Sequence, residues 1–300
     1  MSWINTALLS AAVFAAVNII DSHLLSKRMP GLRVFLMPIS IIYLGYGLVL
    51  CQLFPLPEGT GAGTLLVAVA SGMFRTASAT AVLYSLKKEE VSRVVPVVQT
   101  YPVFVAIMAV PLLGESLHYL QWLAIVIAVT GAVTISFRQS PSGSTIWLGK
   151  TSFLFFGASL LLAMADITSK YVLAHISFLN LFWISAFCMA GTFLIVSMRP
   201  HIFNQLINMR KRNSALALLT FNELLAPIAI TLSLWSIERG PVSLVSTIIG
   251  SRPIFLLTYV LILNRVLPTF LNWQPGKRLL ALRVIATIMI VGGIAIIHLT

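Results

Sequence analysis

The chain has 300 residues, 58% of them hydrophobic and 9% charged, with a net charge of +12 and a mean hydropathy of +0.97. A soluble domain carries about 25% charged residues. A soluble fold is therefore excluded, and with it nucleic acid as the reason for the basic charge. Cys51 and Cys188 both fall in apolar segments, so they form neither a disulfide framework nor a metal set and read as small buried hydrophobes.

A membrane span needs about 20 mostly apolar residues. In chain order the sequence predicts spans near 3–25, 33–54, 63–85, 91–113 and 117–137, then 147–173, 177–198, 214–236, 242–264 and 279–298. The first segment has no basic residue ahead of it; Lys27 and Arg28 follow it. That reads as a first span, not a cleaved leader. Turn-forming stretches separate the spans: Met29-Pro30-Gly31, Pro55 to Gly61, Lys87 to Glu90, Ser140-Pro141-Ser142-Gly143, Met209 to Asn213 and Gln274-Pro275-Gly276.

The charges test this division. Odd-numbered loops hold Lys27, Arg28, Arg33, Lys87, Lys88, Arg93, Arg138, Lys150, Arg199, Arg210, Lys211, Arg212, Arg265, Lys277, Arg278 and Arg283. Even-numbered loops and the termini hold only Arg239, with Lys170 near a span end. One missed span would have destroyed this alternation. The positive-inside rule makes the odd loops cytoplasmic and puts both termini outside an inner, cytoplasmic membrane.

Two halves echo each other. Val91-Ser92 and Tyr101-Pro102-Val103-Phe104 recur 151 residues later as Val242-Ser243 and Arg252-Pro253-Ile254-Phe255. Leu83-Tyr84-Ser85 pairs with Leu234-Trp235-Ser236 at the same step, Asn18-Ile19 with Asp166-Ile167 at 148, and Gly131 with Gly292. Five spans per half place the second copy upside down, as in many secondary transporters. The expected fold is all-α: ten transmembrane helices as two inverted five-helix repeats, residues 1–140 and 145–300.

With these features the chain resembles the drug/metabolite transporter superfamily in its ten-span form with two EamA-type repeats. The resemblance rests on the fused halves, the Ser92 to Phe104 segment, Leu113-Gly114-Glu115-Ser116 and Gly131 in the fifth span. The second half departs from the pattern, carrying Asn264-Arg265 where Gly-Glu is expected. The resemblance implies a central cavity walled by the first four spans of each half, with spans five and ten peripheral. Such relatives move amino acids, metabolites, sugar phosphates or lipid-linked sugars. They commonly keep both termini in the cytoplasm, opposite to the orientation the charges give here.

Ionisable residues inside spans cost at least about 2.5–3.5 kcal/mol without a partner or cavity water, so they are functional candidates. Arg75, Glu223 and Arg252 fall near span centres; Asp21, Asp166 and Lys170 lie nearer the ends. Polar residues accompany them on helical faces: Ser71, Arg75 and Ser78; Asn18, Asp21 and Ser22; Ser92, Pro96, Gln99 and Thr100; Ser243, Ser246, Thr247, Gly250 and Ser251. Asp166 and Lys170, four apart with the acid first, fit an intrahelical pair. The competing reading is that these charges pair off and merely orient helices. Interhelical hydrogen bonding competes in the same way for Asn18, Gln99 and Asn222.

Pro96 and Pro102 interrupt the fourth span, Pro227 the eighth and Pro253 the ninth, each freeing a carbonyl that protein or cavity water must satisfy. Tyr101, Phe104, Trp183 and Trp235 are candidate cavity aromatics, while Trp3, Trp122, Trp147 and Trp273 fit interfacial belts.

No G-x-x-x-x-G-K-[ST] loop, H-E-x-x-H motif or Cys/His cluster is present, so neither ATP-driven transport nor metalloenzyme chemistry is expected. The expectation is a secondary transporter of a small anionic or zwitterionic metabolite, working by alternating access without a cofactor or metal. Substrate-binding candidates are Arg75, Arg252, Glu223, Asp166, Asn18, Tyr101 and Gln99. Asp21 and Lys170 are candidates for coupling, with a proton as the candidate coupling ion, or for ion pairing. The alternatives are a carrier of an amphipathic or lipid-linked substrate, and a membrane-embedded enzyme or accessory protein.

Overall fold

The computed structural model describes residues 2–88, 91–135, 150–209, 211–266 and 277–299. Arg138, the Ser140 to Gly143 linker, Trp147, Arg210, Trp273 and the loop from Pro268 to Gly276 lie outside them.

The described chain is all α-helical. Helix α1 (Trp3–His23) runs into a π turn (Leu24–Arg28) and is followed by α2 (Leu32–Leu53), α3 (Ala62–Lys88), α4 (Val91–Val98), α5 (Tyr101–Leu113) and α6 (Tyr119–Ile135). Then come α7 (Lys150–Leu173), α8 (Phe178–Ser197), α9 (Pro200–Ile207), α10 (Arg212–Arg239), α11 (Val242–Ile249), α12 (Arg252–Val266) and α13 (Lys277–Leu299). Seven segments are long and apolar enough to cross a membrane, the last being α11 and α12 together; Tyr101–Leu113, Tyr119–Thr134 and Ile285–Leu299 are shorter apolar helices. This is a polytopic membrane protein. The short α9 falls where the sequence predicted only a loop.

Burial follows helical period. On α3, Ala68, Ser71, Gly72, Arg75 and Thr76 are buried, whereas Leu66, Val69 and Met73 are exposed. The bare apolar faces suit lipid contact, and the inward faces carry the polar residues.

The helices meet in cross-paired fashion: α1 with α10, α3 with α7, α2 with α8, and α6 with α13. Individual contacts are reciprocal. Ser78 Oγ donates to Ala158 O at 2.8 Å, and Ser10 Oγ donates to Ala229 O at 2.8 Å. The 151- and 148-residue steps carry Ser78 to Ala229 and Ser10 to Ala158, so one contact is the other with its donor exchanged. Likewise the Ser71–Ser169 hydroxyl pair (2.8 Å) maps onto Asn222 Nδ2 donating to Asp21 Oδ1 (2.7 Å).

Glycine sets the closest approach between α6 and α13. A Cβ on Gly131 would lie 2.8 Å from Ala286 O and 2.8 Å from Ile290, and one on Gly293 would lie 2.8 Å from Ala124 O and 2.9 Å from Ala128. Gly131 to Gly293, Ala124 to Ala286 and Ala128 to Ile290 are one constant step. The glycine partner of Gly131 is thus Gly293. Gly292, the expected partner, has open space at its Cβ position.

Loops with the same parity touch. Arg28 Nη1 donates to Ser214 Oγ at 3.1 Å on the odd-loop face. On the even-loop face, Asn180 Nδ2 and Trp183 Nε1 donate to Phe54 O at 2.8 and 3.1 Å. Trp183 therefore belongs to that rim, not to a central site. Trp235, stacked 4.2 Å from the Arg239 guanidinium, also sits at a helix end.

Two proline expectations are refined. Pro227 does not interrupt its span, because α10 runs through it unbroken. Its missing N–H would leave Glu223 O without a partner, and Tyr46 OH of α2 donates there at 2.9 Å. Pro102 similarly frees Val98 O, which accepts from Ser159 Oγ of α7 at 3.1 Å. The fourth and ninth spans do break, α4 from α5 after Val98 and α11 from α12 after Ile249.

Candidate functional site

Three helices converge on Asp166. Arg75 Nη2 of α3 donates to its Oδ1 at 3.0 Å, and Ser246 Oγ of α11 donates to its Oδ2 at 3.0 Å. Arg75 Nη2 also lies 3.3 Å from Ser169 Oγ, which shares its hydrogen bond with Ser71. The side chains of the pair are 10% and 3% exposed, so water screens them little. The 71/75/78 and 166/169 spacings explain the meeting: each puts its residues on one helix face, and α3 packs along α7.

This corrects the expected Asp166–Lys170 pair. Lys170 Nζ instead donates to Ile237 O (2.7 Å), Glu238 O (3.3 Å) and Gly240 O (2.8 Å). Its ammonium closes the C-terminal end of α10, where free carbonyls and the helix dipole favour a cation. It stabilises a helix end and is removed from the candidate site. Glu115, given no site role from the sequence, does the converse. Its carboxylate accepts from Val242 N at 2.5 Å, from Ser243 N at 3.3 Å and from the Ser243 hydroxyl, capping the N-terminus of α11.

The second group surrounds the helix breaks. Tyr101 opens α5 and Arg252 opens α12, at equivalent positions of the two halves. Tyr101 is buried, and its hydroxyl donates to Ser246 O at 3.2 Å. The Arg252 guanidinium lies 3.9 Å over the ring of Phe14. It is within electrostatic reach of Tyr101, Asp166 and Arg75, yet makes no ion pair among the described residues. Its Nε, Arg75 Nε, Gln99 Oε1 and Ser251 Oγ are buried polar atoms without a hydrogen-bond partner. Around the breaks, two guanidinium groups thus face one carboxylate.

The third group lies between α1, α2 and α10. Asn222 Nδ2 donates to Asp21 Oδ1 at 2.7 Å, and Asp21 and Glu223 interact electrostatically with each other. Tyr43 of α2 is buried within reach of both carboxyls. Neither acid forms an ion pair among the described residues. Asp21 is seven residues beyond Phe14 on α1, about 10 Å along the axis.

Of the predicted residues, Arg75, Asp166, Tyr101 and Arg252 come together, and Gln99 lies at the fourth-span break beside Tyr101. Asp21 and Glu223 form a separate acidic group. Asn18 is half-buried on α1, between Phe14 and Asp21. Phe14, Ser169 and Ser246 were missed as partners. Ser246 stood in a recognised polar stripe, but nothing in the sequence marks Phe14 as the seat of a cation. Among the described residues no group of three or more His, Cys, Asp or Glu could hold a metal ion.

Comparison with known proteins bears on the fold and on the first half. Comparison with curated proteins gave no match. A solved crystal structure is 15% identical, aligns over 99% of this chain and 98% of its own, and superposes with a TM-score of 0.67, which shows a shared fold. Over residues 1–137 this polytopic membrane protein is similar to the EamA-like transporter family.

Proposed function

We propose that the chain is a secondary transporter that moves a small anionic metabolite across the cytoplasmic membrane by alternating access. The observation that carries this reading is Arg252: a guanidinium at a helix break inside the bundle, seated on Phe14, with a buried Nε lacking a partner. A charge in such a place is costly unless an anion joins it. A carboxylate or phosphate between Arg252 and Arg75 would balance the local charge and use the free donors. Tyr101, Gln99 and Asn18 would supply further polar contacts.

A zwitterion was the other substrate class. Of the acids that would take its amino group, Asp21 lies on the same helix as Phe14, about two helical turns away, and Asp166 is already engaged by Arg75 and Ser246. An α-amino acid, whose two charged groups share one carbon, does not span that interval. The acidic group is better read as the place where a coupling proton is taken up and released.

The architecture proposed is ten spans in two inverted repeats, residues 1–140 and 145–300. The exchanged Ser78/Ser10 contacts, the reciprocal Gly131 and Gly293 approaches and the equally placed breaks support it. Flexing at the paired breaks, near Pro102 and Pro253, would open the site alternately to each face. The odd loops are proposed as cytoplasmic, both termini outside; a cysteine replacing Ser140 should then react only with membrane-permeant reagents.

The test is flux into liposomes holding the purified protein, across a panel of carboxylates, phosphate esters and amino acids. Arg252→Ala should abolish uptake of the transported anion while the protein stays folded, and Arg252→Lys should retain part of it. Undiminished uptake by Arg252→Ala would remove Arg252 from the site. Uptake confined to amino acids or cations would refute the anion reading.

A further inference from the structure

A second concentration of charge lies far from the helix breaks, on the face of the odd-numbered loops. The start of α2, the end of α3 and the first turns of α9 enclose a cavity of about 520 Å³. Arg33, Lys87, Lys88 and His201 line it, and no acidic residue does so among the described residues. A methyl group on Gly31 would lie 3.7 Å from Lys87 Nζ, so this ammonium sits against the N-terminal end of α2. Gly31 offers that helix end no side-chain cap, and its first turn holds no acid. The free N–H groups and the dipole make the helix end positive as well.

Three cationic side chains, Arg33, Lys87 and Lys88, and a positive helix end around one cavity repel one another unless an anion lies among them. Lys88 is held in place by a 2.5 Å hydrogen bond to Tyr84 OH, with its Nζ 4.3 Å from that ring. The transport site does not use this cluster. Its position indicates the source of the anion. Helix α9 buries Ile202 toward the protein and leaves Phe203 and Ile207 bare, the pattern of a helix lying in a membrane interface. The cavity therefore stands at headgroup depth, where basic pockets between membrane helices recognise acidic lipid.

We propose that Arg33, Lys87, Lys88 and His201, with the N-terminus of α2, form a binding site for the phosphate of an anionic phospholipid headgroup. The phosphate would sit between Lys87 and the α2 amides, where donors and positive charge converge. The acyl chains would run past α9 along the bare apolar surface.

The full-length protein in neutral detergent tests this by thermal unfolding. Phosphatidylglycerol, phosphatidylcholine and inorganic phosphate are each titrated into wild type, Arg33→Gln, Lys87→Gln and the control Lys211→Gln, whose residue is exposed and does not line the cavity. Phosphatidylglycerol should raise the melting temperature of wild type and of the control. Its apparent affinity should fall about fivefold for each cavity cation removed. Phosphatidylcholine and inorganic phosphate should give no such shift. Equal stabilisation of wild type and the cavity variants, or an equal effect of phosphatidylcholine, would overturn the site. A full shift with inorganic phosphate alone would overturn the lipid as its ligand. The cavity side chains are exposed, so their substitution should leave the unliganded melting temperature near wild type.

Discussion

Removing Asp166 should expose how much of the central cluster is structure and how much is function. Asp166 receives Arg75 and Ser246, each at 3.0 Å, and almost no water reaches the pair. Replacing one partner of a buried pair strands the other charge and costs about 3–5 kcal/mol. Asp166→Leu and Arg75→Met should each lose that much. Independent losses would sum to about 6–10 kcal/mol in the double variant. The double variant strands neither member of the pair, however, although Arg252 loses its carboxylate neighbour along with the competing guanidinium. Apolar side chains of similar volume in place of a buried pair are often neutral or stabilising. Ser246 can turn its hydroxyl back to a carbonyl of its own helix, leaving a deficit of about 1 kcal/mol. Unfolding in mixed detergent–SDS micelles across the four-member cycle measures this, with liposome flux measured on each member. The expected outcome is a stable double variant without transport. A double variant losing the sum of the single losses would refute the coupling between the two residues. A stable double variant that transports normally would reduce the pair to a helix fastener.

Lys170→Met should cost about 1.5–3 kcal/mol in the same unfolding assay, because its charged hydrogen bonds to the end of α10 are lost; an unchanged midpoint would return Lys170 to the list of transport residues. Glu115→Ala should cost about 1–2 kcal/mol by uncapping α11, and a hydrogen-exchange measurement should show faster exchange at Val242 and Ser243. Gly293→Ala should lose about 1–3 kcal/mol against the Ala124 carbonyl. Gly292→Ala, with open space, should be neutral or gain up to about 1 kcal/mol of helix propensity; the reverse order would place the α6–α13 crossing at Gly292.

What the sequence determined by itself followed from one-dimensional rules. Hydrocarbon demands long apolar helices, so the segments could be read from composition, and the basic loops marked one face. Side-chain spacing put Ser71, Arg75 and Ser78 on one face of α3, since helical period is fixed before any packing. The echo of Pro102 and Phe104 in Pro253 and Phe255 located both helix breaks within a few residues. The charged members of the site stood out because charge within a span is expensive.

Partner choice was decided only by the tertiary structure. Spacing within a helix made Lys170 the nearest cation to Asp166, yet α3 packs on α7 and delivers Arg75, while Lys170 points to the end of α10. Which helix a face meets depends on the bundle and not on the period of that face. For the same reason Pro227 could not be known to leave α10 unbroken, since Tyr46 on another helix satisfies the carbonyl it frees. Phe14 is an ordinary apolar residue and gave no signal, and Glu115, a loop acid, entered only through the resemblance, with no partner assigned. Each takes its role from a residue more than a hundred positions away that the fold brings alongside it.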